Sequence, residues 1–258
     1  MADRRRAMSD SEAGKKVALV TGGSRGIGAA TCRLLGAEGY AVAINYRSNK
    51  AEAEKVKGAV EAAGGKAIIV QADVSRAEDV QRMFREVDEQ LGPLTALVNN
   101  AGIMGKKGPL SDLAPADIEA IFATNAFGPI MCCQEAQRRM STKLGGHGGA
   151  IVNVSSGSAY IGTPNRAVLY GTTKGALNSF TIGFSQEVAK EGIRVNTVSP
   201  GFTSTDMVAD VDAEHVAKAI PMGRPAAPDE IAQNIVYLLS DKASYVSGAN
   251  LRVGGGRQ

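Results

Sequence analysis

Tyr170 and Lys174 lie four residues apart, and their types and spacing suggest proton-transfer chemistry. In a helix this spacing places both side chains on one face. A phenol titrates at a pKa of about 10, and a neighbouring ammonium favours its ionised form, so we expect Lys174 to lower the pKa of Tyr170. Tyr170 is therefore a candidate general acid or base. An exposed tyrosine beside a lysine would show the same pattern.

A group of serines precedes this tyrosine, at the end of a β-branched run. A hydroxyl at this place would hydrogen-bond a substrate oxygen on which charge develops during a reaction. Ser155, Ser156 and Ser158 are the candidates, and the Val-Ser-Ser context favours Ser156.

A glycine-rich segment, residues 21–28, follows the first apolar run and leads directly into a helical pattern. Glycines there let the backbone turn tightly and approach a pyrophosphate, whose charge the helix N-terminus favours. The spacing G-x-x-x-G-x-G differs from the commoner G-x-G-x-x-G, so a plain glycine-rich turn is the alternative. Its position in the first β-α unit favours a dinucleotide site. The expected cofactor contacts are Gly22, Ser24, Arg25, Gly26, Ile27 and Gly28.

The end of the second apolar run carries Asn45, Tyr46, Arg47 and Ser48, where NAD-binding folds usually place an acidic residue against the ribose. No carboxylate is there to repel a phosphate. Arg47 with Ser48, aided by Arg25, would pair with a 2′-phosphate, because guanidinium groups suit phosphate oxygens. We therefore expect NADP(H) to be preferred over NAD(H). The alternative is that Arg47 is a solvated residue at the start of a helix.

Together these segments resemble the short-chain dehydrogenase/reductase family, over nearly the whole chain from about residue 15. The resemblance extends to members that reduce 3-oxoacyl groups on acyl carrier protein and to members that oxidise glucose. It implies hydride transfer between a nicotinamide cofactor and the carbonyl or alcohol carbon of a small molecule. Further matching residues are Asp73, Val74, Asn99, Asn100, Ala101, Gly102, Asn125, Pro200 and Gly201.

The resemblance implies a role for each of these residues. Asp73 and Val74 would hold the adenine, or would be a turn residue at the end of a strand and a core residue. Asn99, Ala101 and Gly102 would lie under the cofactor, with Asn99 equally suited to a structural hydrogen bond. The nicotinamide carboxamide would be flanked by Pro200, Gly201, Thr203 and Thr205, the two threonines being turn residues in the alternative interpretation.

The catalytic set implied by the resemblance is Asn125, Ser156, Tyr170 and Lys174. Asn125 would hold a water in a proton relay beside Lys174, or would be a buried structural residue. Lys174 would also contact the nicotinamide ribose. The family serine most often precedes the tyrosine by thirteen positions, which is Gly157 here, whereas Ser156 precedes it by fourteen. We assign the serine role to Ser156, because some members carry one extra residue in this loop.

Alternating patterns predict the elements that position these residues. Short β-branched runs predict about seven strands and longer amphipathic stretches predict helices between them. This order indicates a single-domain, Rossmann-like, doubly wound parallel sheet with helices on both faces, over residues 15–258, after a disordered tail at 1–14. Strands are predicted at 16–21, 41–45, 67–71, 96–99, 150–155, 194–199 and 250–253. Helices are predicted at 29–38, 51–63, 77–90, 116–139, 170–191 and 228–239.

Composition excludes several classes of partner. The formal net charge is only +3, so nucleic acid is not expected as a partner, and no stretch predicts a membrane span. The three cysteines have no metal-ligand spacing, which predicts buried thiols in a cytoplasmic protein and no metal site. The family resemblance implies a homo-oligomer, a tetramer or dimer, for which apolar helices at 118–131 and 180–188 would supply an interface. The alternative is that these faces only cover the sheet. Residues 206–227 are expected to act as a lid.

Two other functions remain open at this point. A dinucleotide-binding sensor, or a protein that binds a partner without turnover, would account for the glycine-rich segment but would have no need for a tuned phenol. A sugar dehydrogenase using NAD(P) would share all the motifs above and would differ only in its substrate.

Overall fold

The computed structural model describes residues 16–208 and 217–257. Seven strands form one parallel sheet in the order β3-β2-β1-β4-β5-β6-β7, which confirms the predicted fold class. The strands are β1 (Val17–Val20), β2 (Ala41–Tyr46), β3 (Lys66–Gln71), β4 (Ala96–Asn99), β5 (Gly149–Val154), β6 (Ile193–Pro200) and β7 (Asn250–Val253). The tail predicted at 1–14 and the central part of the predicted lid, 209–216, lie outside the described residues.

The helices follow the strands in the predicted alternation. They are α1 (Gly26–Ala37), α2 (Lys50–Ala62), α3 (Ala77–Leu91), α4 (Pro115–Phe122), α5 (Gly128–Met140), α6 (Ser158–Ile161), α7 (Val168–Val188) and α8 (Pro228–Leu239). One predicted helix, 116–139, differs in detail. A π turn, Ala123–Phe127, separates α4 from α5 within it. The repeating apolar pattern does not reveal such a turn, because the chain stays helical on both sides of it.

Two hydrophobic layers cover the sheet, one on each face. Successive residues of a strand point to opposite faces, so Ala18 and Val20 of β1 join one layer while Val17 and Leu19 join the other. Helices α1, α2 and α8 supply apolar side chains to the first layer. Helices α3, α5 and α7 supply them to the second. Helices therefore lie on both faces, as the sequence predicts.

The strand order reverses at β1, whose neighbours are β2 and β4. Such a reversal opens a crevice at the carboxyl ends of the strands, where ligands bind in folds of this type. Here the loops after β1 and β4 are joined, because the Asn100 Nδ2 donates to Thr21 O at 2.9 Å and to Gly22 O at 3.0 Å. The glycine-rich segment is thus attached directly to the crevice.

Buried thiols are another confirmed prediction. Cys32, Cys132 and Cys133 are free and buried. Burial raises the pKa of the Cys133 thiol to about 12, so this thiol is un-ionised and unreactive near neutral pH. Within 16–208 and 217–257, no cluster of histidine, cysteine and carboxylate side chains has the makings of a metal site. No helix in these ranges has the length and apolar character needed to cross a bilayer.

Candidate active site

A cavity of about 790 Å³ opens at the carboxyl edge of the sheet. It extends from the glycine-rich segment and the end of β2 to α6, the start of α7 and the end of β7. Its wall includes most of the residues that the sequence predicts to bind cofactor or substrate. These are Gly22, Ser24, Arg25, Gly26, Ile27, Arg47, Ser48, Asp73, Val74, Ala101, Gly102, Ser156, Tyr170, Lys174, Pro200, Gly201, Thr203 and Thr205.

The glycine-rich segment forms a tight turn that ends at the N-terminus of α1. Gly22 and Gly26 adopt φ angles of +60° and +54°, a region that side chains other than glycine rarely occupy. The N-cap residue Arg25 makes no side-chain hydrogen bond to the helix. The first N–H groups of α1 therefore have no intrahelical acceptor and point to the cavity end of the helix, which suits a phosphate.

Gly28 does not line the cavity and acts through packing. A Cβ added there would lie 2.4 Å from Gly22 O and 2.5 Å from Asn100 Nδ2. Real Cβ atoms do not approach a backbone oxygen this closely, so only glycine lets α1 lie against the turn. The sequence predicts Gly28 as a cofactor contact. In the structure Gly28 instead allows the close packing that shapes the turn.

The end of β2 carries an internally bonded asparagine instead of a carboxylate. The Asn45 Oδ1 accepts from Gly22 N at 3.1 Å and its Nδ2 donates to Ala72 O at 3.0 Å. Arg47 and Ser48 line the cavity next to it. Their positive charge and hydroxyl thus face the region where the ribose of a dinucleotide would lie, and no acidic residue of β2 opposes a phosphate there.

Arg25 also lines this end of the cavity. Its guanidinium lies 3.8 Å from an Asp206 carboxylate oxygen, and both side chains are largely exposed. Exposed pairs of this kind contribute little free energy. Arg25 is therefore available to a phosphate at small cost.

Asp73 and Val74 form the wall on the side of β3. The Asp73 Oδ1 accepts from the backbone N–H and the hydroxyl of Ser75, at 3.0 and 2.7 Å. These bonds orient the carboxylate at the turn after the strand. Its position beside the cavity fits the adenine contact expected from the family resemblance.

Of the two asparagines at the end of β4, Asn99 is the last residue of the strand and is turned away from the cavity. Its Nδ2 donates to Asn153 Oδ1 at 2.9 Å and to Pro129 O at 3.3 Å, and the residue is 2% exposed. Asn100, which the sequence does not single out as a contact, lines the cavity instead. Asn99 thus makes structural hydrogen bonds, which is the alternative to a cofactor contact. The two side chains differ because successive residues of an extended chain point to opposite sides.

Tyr170 and Ser156 both line the cavity, and the Ser156 hydroxyl is near enough to the phenol to act on its pKa. Burial nevertheless raises the pKa of Tyr170, and the Ser156 hydroxyl lowers it only in part. The expectation that Lys174 lowers the pKa of Tyr170 is thus wrong for this structure, because the desolvation of a phenolate outweighs the other contributions. A raised pKa keeps the phenol protonated at neutral pH.

Lys174 lies beneath the tyrosine ring. Its Nζ is 5.7 Å from the Tyr170 ring centroid and donates to Val154 O at 2.7 Å. Burial lowers the pKa of Lys174 to about 8. The ammonium is therefore near its titration midpoint at mildly alkaline pH, which makes it a proton-exchanging group next to the phenol.

The structure separates the three candidate serines. The Ser155 hydroxyl is buried and donates to Lys174 O at 3.1 Å, so it fastens α7 to the end of β5. The Ser156 Oγ accepts from the Ser158 backbone N–H at 3.1 Å. Of the three, Ser156 is the one whose hydroxyl acts on the pKa of Tyr170, which supports its assignment over its neighbours.

Asn125 lies in the π turn, fully buried behind Lys174 and away from the cavity wall. Its Oδ1 accepts from Ile103 N, and its Nδ2 donates to Ile103 O, both at 2.8 Å. A Cβ on Gly102 would lie 3.3 Å from Asn125 Oδ1 and 3.5 Å from Lys174 Nζ. The Asn125 side chain thus holds the segment after β4 next to Lys174, while the Asn125 backbone belongs to the π turn.

The segment after β6 closes the cavity on the far side of the glycine turn. The Thr203 Oγ1 donates to Gly201 O at 3.2 Å and the Thr205 Oγ1 donates to Thr203 O at 3.4 Å. A Cβ on Gly26 would lie 3.2 Å from the Thr205 methyl group. These threonines therefore make the turn bonds of the alternative interpretation and also line the cavity beside the start of α1.

Three arginines that line the cavity are not predicted from the sequence. They come from the loop before α7, from β7 and from the chain after β7, and they carry positive charge. They are Arg166, Arg252 and Arg257. The sequence contains no signal for Arg252, because it alternates with Leu251 and Val253 as a polar residue of an ordinary strand does.

These features fit a nicotinamide dinucleotide. The turn with two left-handed glycines and the free N–H groups of α1 suit the pyrophosphate, and Asp73 and Arg47 stand where the adenosine half would lie. Ser156 and Tyr170, the candidate proton carriers, line the same cavity. The cavity is large enough for a cofactor together with a small substrate.

Comparison with known proteins agrees with this geometry. A family model described as enoyl-(acyl carrier protein) reductase matches residues 22–258. The oxidoreductase YgfF of Escherichia coli K12 is 48% identical over 245 residues, which cover 93% of this chain and 99% of that protein. The 3-oxoacyl-(acyl-carrier-protein) reductase FabG of Staphylococcus aureus Mu50 is 38% identical over 244 residues, which cover 93% of this chain and 97% of that protein.

A solved structure extends the likeness to three dimensions. The short chain dehydrogenase from Burkholderia cenocepacia J2315 in complex with NADP has a TM-score of 0.88 and 35% identity, covering 94% of this chain and 98% of that one. The likeness thus includes both the sheet and the elements that surround the cavity. The chain belongs to the short-chain dehydrogenase/reductase family of NAD(P)-dependent oxidoreductases, which act on carbonyl and alcohol groups.

Proposed function

We propose that this protein is an NADPH-dependent reductase of small carbonyl compounds, with Tyr170 as the general acid. The observation that carries the proposal is that Ser156, Tyr170 and Lys174 line the same cavity as the glycine turn, with the Lys174 Nζ 5.7 Å from the centroid of the Tyr170 ring. A sensor of the cofactor would have no need for this group of proton carriers.

Each residue of the site has a defined task in this proposal. The bound cofactor supplies a hydride to the carbonyl carbon. The Ser156 hydroxyl orients the substrate oxygen, and the Tyr170 phenol donates a proton to it, which its raised pKa permits at neutral pH. The Lys174 ammonium then donates a proton to the Tyr170 phenolate, and Lys174 regains a proton from water, which its lowered pKa permits. Asn125 is a positioning residue that holds the segment after β4 against Lys174.

The direct test combines a binding and a turnover measurement. Purified protein is titrated with NADPH and with NADH, followed by the fluorescence of the reduced nicotinamide. A panel of 3-oxoacyl thioesters, sugars, diketones and quinones is then added, with NADP⁺ for the sugars, and the change in NADPH absorbance is recorded. Turnover with NADPH supports the proposal. Tight binding without any turnover would favour the sensor, and turnover only with sugars and NADP⁺ would favour a sugar dehydrogenase.

The preference for NADPH rests on the end of β2. Arg47 and Ser48 line the cavity there, Arg25 stands across from them, and the structurally similar Burkholderia cenocepacia dehydrogenase contains NADP. A phosphate on the ribose would gain a charge-assisted hydrogen bond from Arg47. NADH lacks that phosphate and would gain nothing from it.

Replacement of Arg47 therefore has a selective effect. We expect Arg47→Ala to weaken NADPH binding by about 10- to 100-fold, since hydrogen bonds to charged groups contribute about 1.5–3 kcal/mol. NADH binding is expected to remain unchanged. The Kd values come from fluorescence titration, and Arg85→Ala, at an exposed position of α3, is the matched control. Equal weakening of both cofactors by Arg47→Ala would refute the phosphate contact.

The titration of Lys174 sets an upper limit to the pH range of carbonyl reduction. The pKa of Lys174 is lowered to about 8, so the ammonium is present below that pH and is lost as pH rises through it. We expect kcat/KM for reduction to be constant from about pH 6 to 7 and to decline above about pH 8. A stopped-flow or steady-state pH profile with saturating NADPH measures this decline. A constant value up to about pH 10, the pKa of an ordinary amine or phenol, would contradict it.

The same proposal includes self-association. Three large apolar side chains remain exposed on α4, the π turn and α7: Ile118 at 37%, Phe127 at 57% and Ile182 at 53%. They lie in the helical stretches from which the sequence predicts an oligomer. Exposed apolar side chains of this size favour contact with a second copy.

A further inference from the structure

One end of the cavity is lined by arginine side chains that the proposed chemistry does not require: Arg166, Arg252 and Arg257. Low-dielectric walls with charge of one sign raise the local concentration of ligands of the opposite sign.

The exposed side chain of Arg252 stacks on an aromatic ring. Its guanidinium lies 3.7 Å from the centroid of the Tyr160 ring in α6. The Tyr160 hydroxyl accepts from Asn250 Nδ2 at 2.7 Å, and the Asn250 Oδ1 accepts from Ser199 Oγ at 2.7 Å. The ring is thus anchored to β7 and β6, and the guanidinium is stacked on an anchored surface.

A stacked guanidinium still has its in-plane N–H groups available, because stacking occupies only its face. Among the described residues, neither Arg252 nor Arg257 has a carboxylate within ion-pair distance. An arginine pre-oriented in this way matches the two oxygens of a carboxylate or a phosphate and loses little side-chain entropy on binding.

The distance from the catalytic serine limits the size of the ligand. Gly157 N bonds to Pro200 O at 2.8 Å, and Pro200 is in register with Val253. Arg252 therefore lies two strand spacings from the chain at Ser156, a backbone separation of about 10 Å. The Arg252 side chain spans part of this distance. It would therefore contact an anionic group of the substrate that lies only a few bonds from the carbonyl held at Ser156.

We propose that the substrate is a small carbonyl compound that carries a carboxylate or phosphate, and that Arg252, with Arg257, binds this anionic group. The proposal rests on the carbonyl reductase function given above and adds the substrate class. It makes Arg252 a residue that determines specificity and leaves proton transfer to Tyr170.

Matched substrate pairs test this proposal. Acetoacetate is compared with methyl acetoacetate, and glyceraldehyde 3-phosphate with glyceraldehyde, by NADPH oxidation, so that the two pairs distinguish a carboxylate from a phosphate. We expect the charged member of one pair to have the higher kcat/KM. Arg252→Gln is expected to lower this preference by about 10- to 100-fold, through KM rather than kcat. Arg252→Lys is expected to retain part of the preference. Arg85→Gln, on the surface of α3, is the control and should leave the preference unchanged.

A binding experiment separates this proposal from the reductase function itself. Calorimetric titration with butyrate and with butyramide, with and without NADPH, measures recognition of the charge without any turnover. Preference for butyrate that Arg252→Gln removes would support the anion site even if no panel compound is reduced. Equal affinity for both compounds, or a charge preference in turnover that Arg252→Gln leaves intact, would overturn it. A change in oligomeric state alone on Arg252→Gln, measured by light scattering, would assign this arginine to a subunit contact and also overturn it.

Discussion

Tyr170→Phe is expected to lower kcat for carbonyl reduction by about 10²–10⁴-fold, the usual contribution of a positioned general acid. The phenylalanine ring fills the same buried volume, so the fold and the cavity are expected to persist. What is lost is the proton donor that lies near Ser156. The rate is measured by NADPH oxidation with saturating substrate, and NADPH affinity by fluorescence titration, which should change less than threefold or so.

Tyr237→Phe is the matched control for this prediction. It removes the same hydroxyl from an exposed tyrosine on α8, outside the cavity wall. Its activity should equal that of the unaltered protein. If Tyr170→Phe retained more than about a tenth of the kcat, Tyr170 would not be the general acid, and another donor would have to be sought in the wall.

Gly28→Ala is expected to have the second large effect, on both stability and cofactor binding. The added methyl group would meet Gly22 O at 2.4 Å, so α1 must move away from the turn. Overpacking of this kind costs about 1–3 kcal/mol of the free energy of unfolding. Because the free N–H groups of α1 move with the helix, we also expect NADPH affinity to fall by more than tenfold, roughly the effect of a phosphate hydrogen bond lost.

Gly58→Ala provides the opposite result from the same substitution. Gly58 lies within α2, and an added Cβ would find nothing within 4 Å. Alanine is the better helix former, so this variant should gain about 0.5–1 kcal/mol. Thermal or urea unfolding measures both variants. If Gly28→Ala bound NADPH with unaltered affinity, the turn would not depend on the close approach of α1.

Lys174 shows how a correctly predicted position can be combined with an incorrectly predicted effect on a pKa. The four-residue spacing correctly predicts that Lys174 and Tyr170 are neighbours in one helix. The direction of the pKa change, however, depends on how much water reaches the phenol. Burial raises the pKa of Tyr170 and lowers that of Lys174 to about 8, and only the packed structure contains that information.

The asparagines illustrate the same limit. The motif after β4 identifies the segment, but the direction of each side chain depends on the strand. Asn99 turns into the buried network with Asn153, whereas Asn100 faces the cavity and bonds the glycine turn. Asn125 belongs to a π turn that no apolar periodicity predicts. Its position beside Lys174 becomes apparent only when α4 and α7 are packed together.

Local order along the chain was enough to predict the seven-stranded parallel sheet, the glycine turn after β1, and the helix that carries Tyr170 and Lys174. Each of these features depends on the periodicity of apolar residues or on the spacing within a short motif, and both can be read from residues close together in the chain. The positions of the three serines relative to Tyr170, the place of Asn99 and the arginine end of the cavity depend on contacts between distant segments. Asn250 and Tyr160, which anchor Arg252, are 90 residues apart in the chain. Such contacts exist only after β5, β6 and β7 align their ends, so the tertiary structure alone decides them.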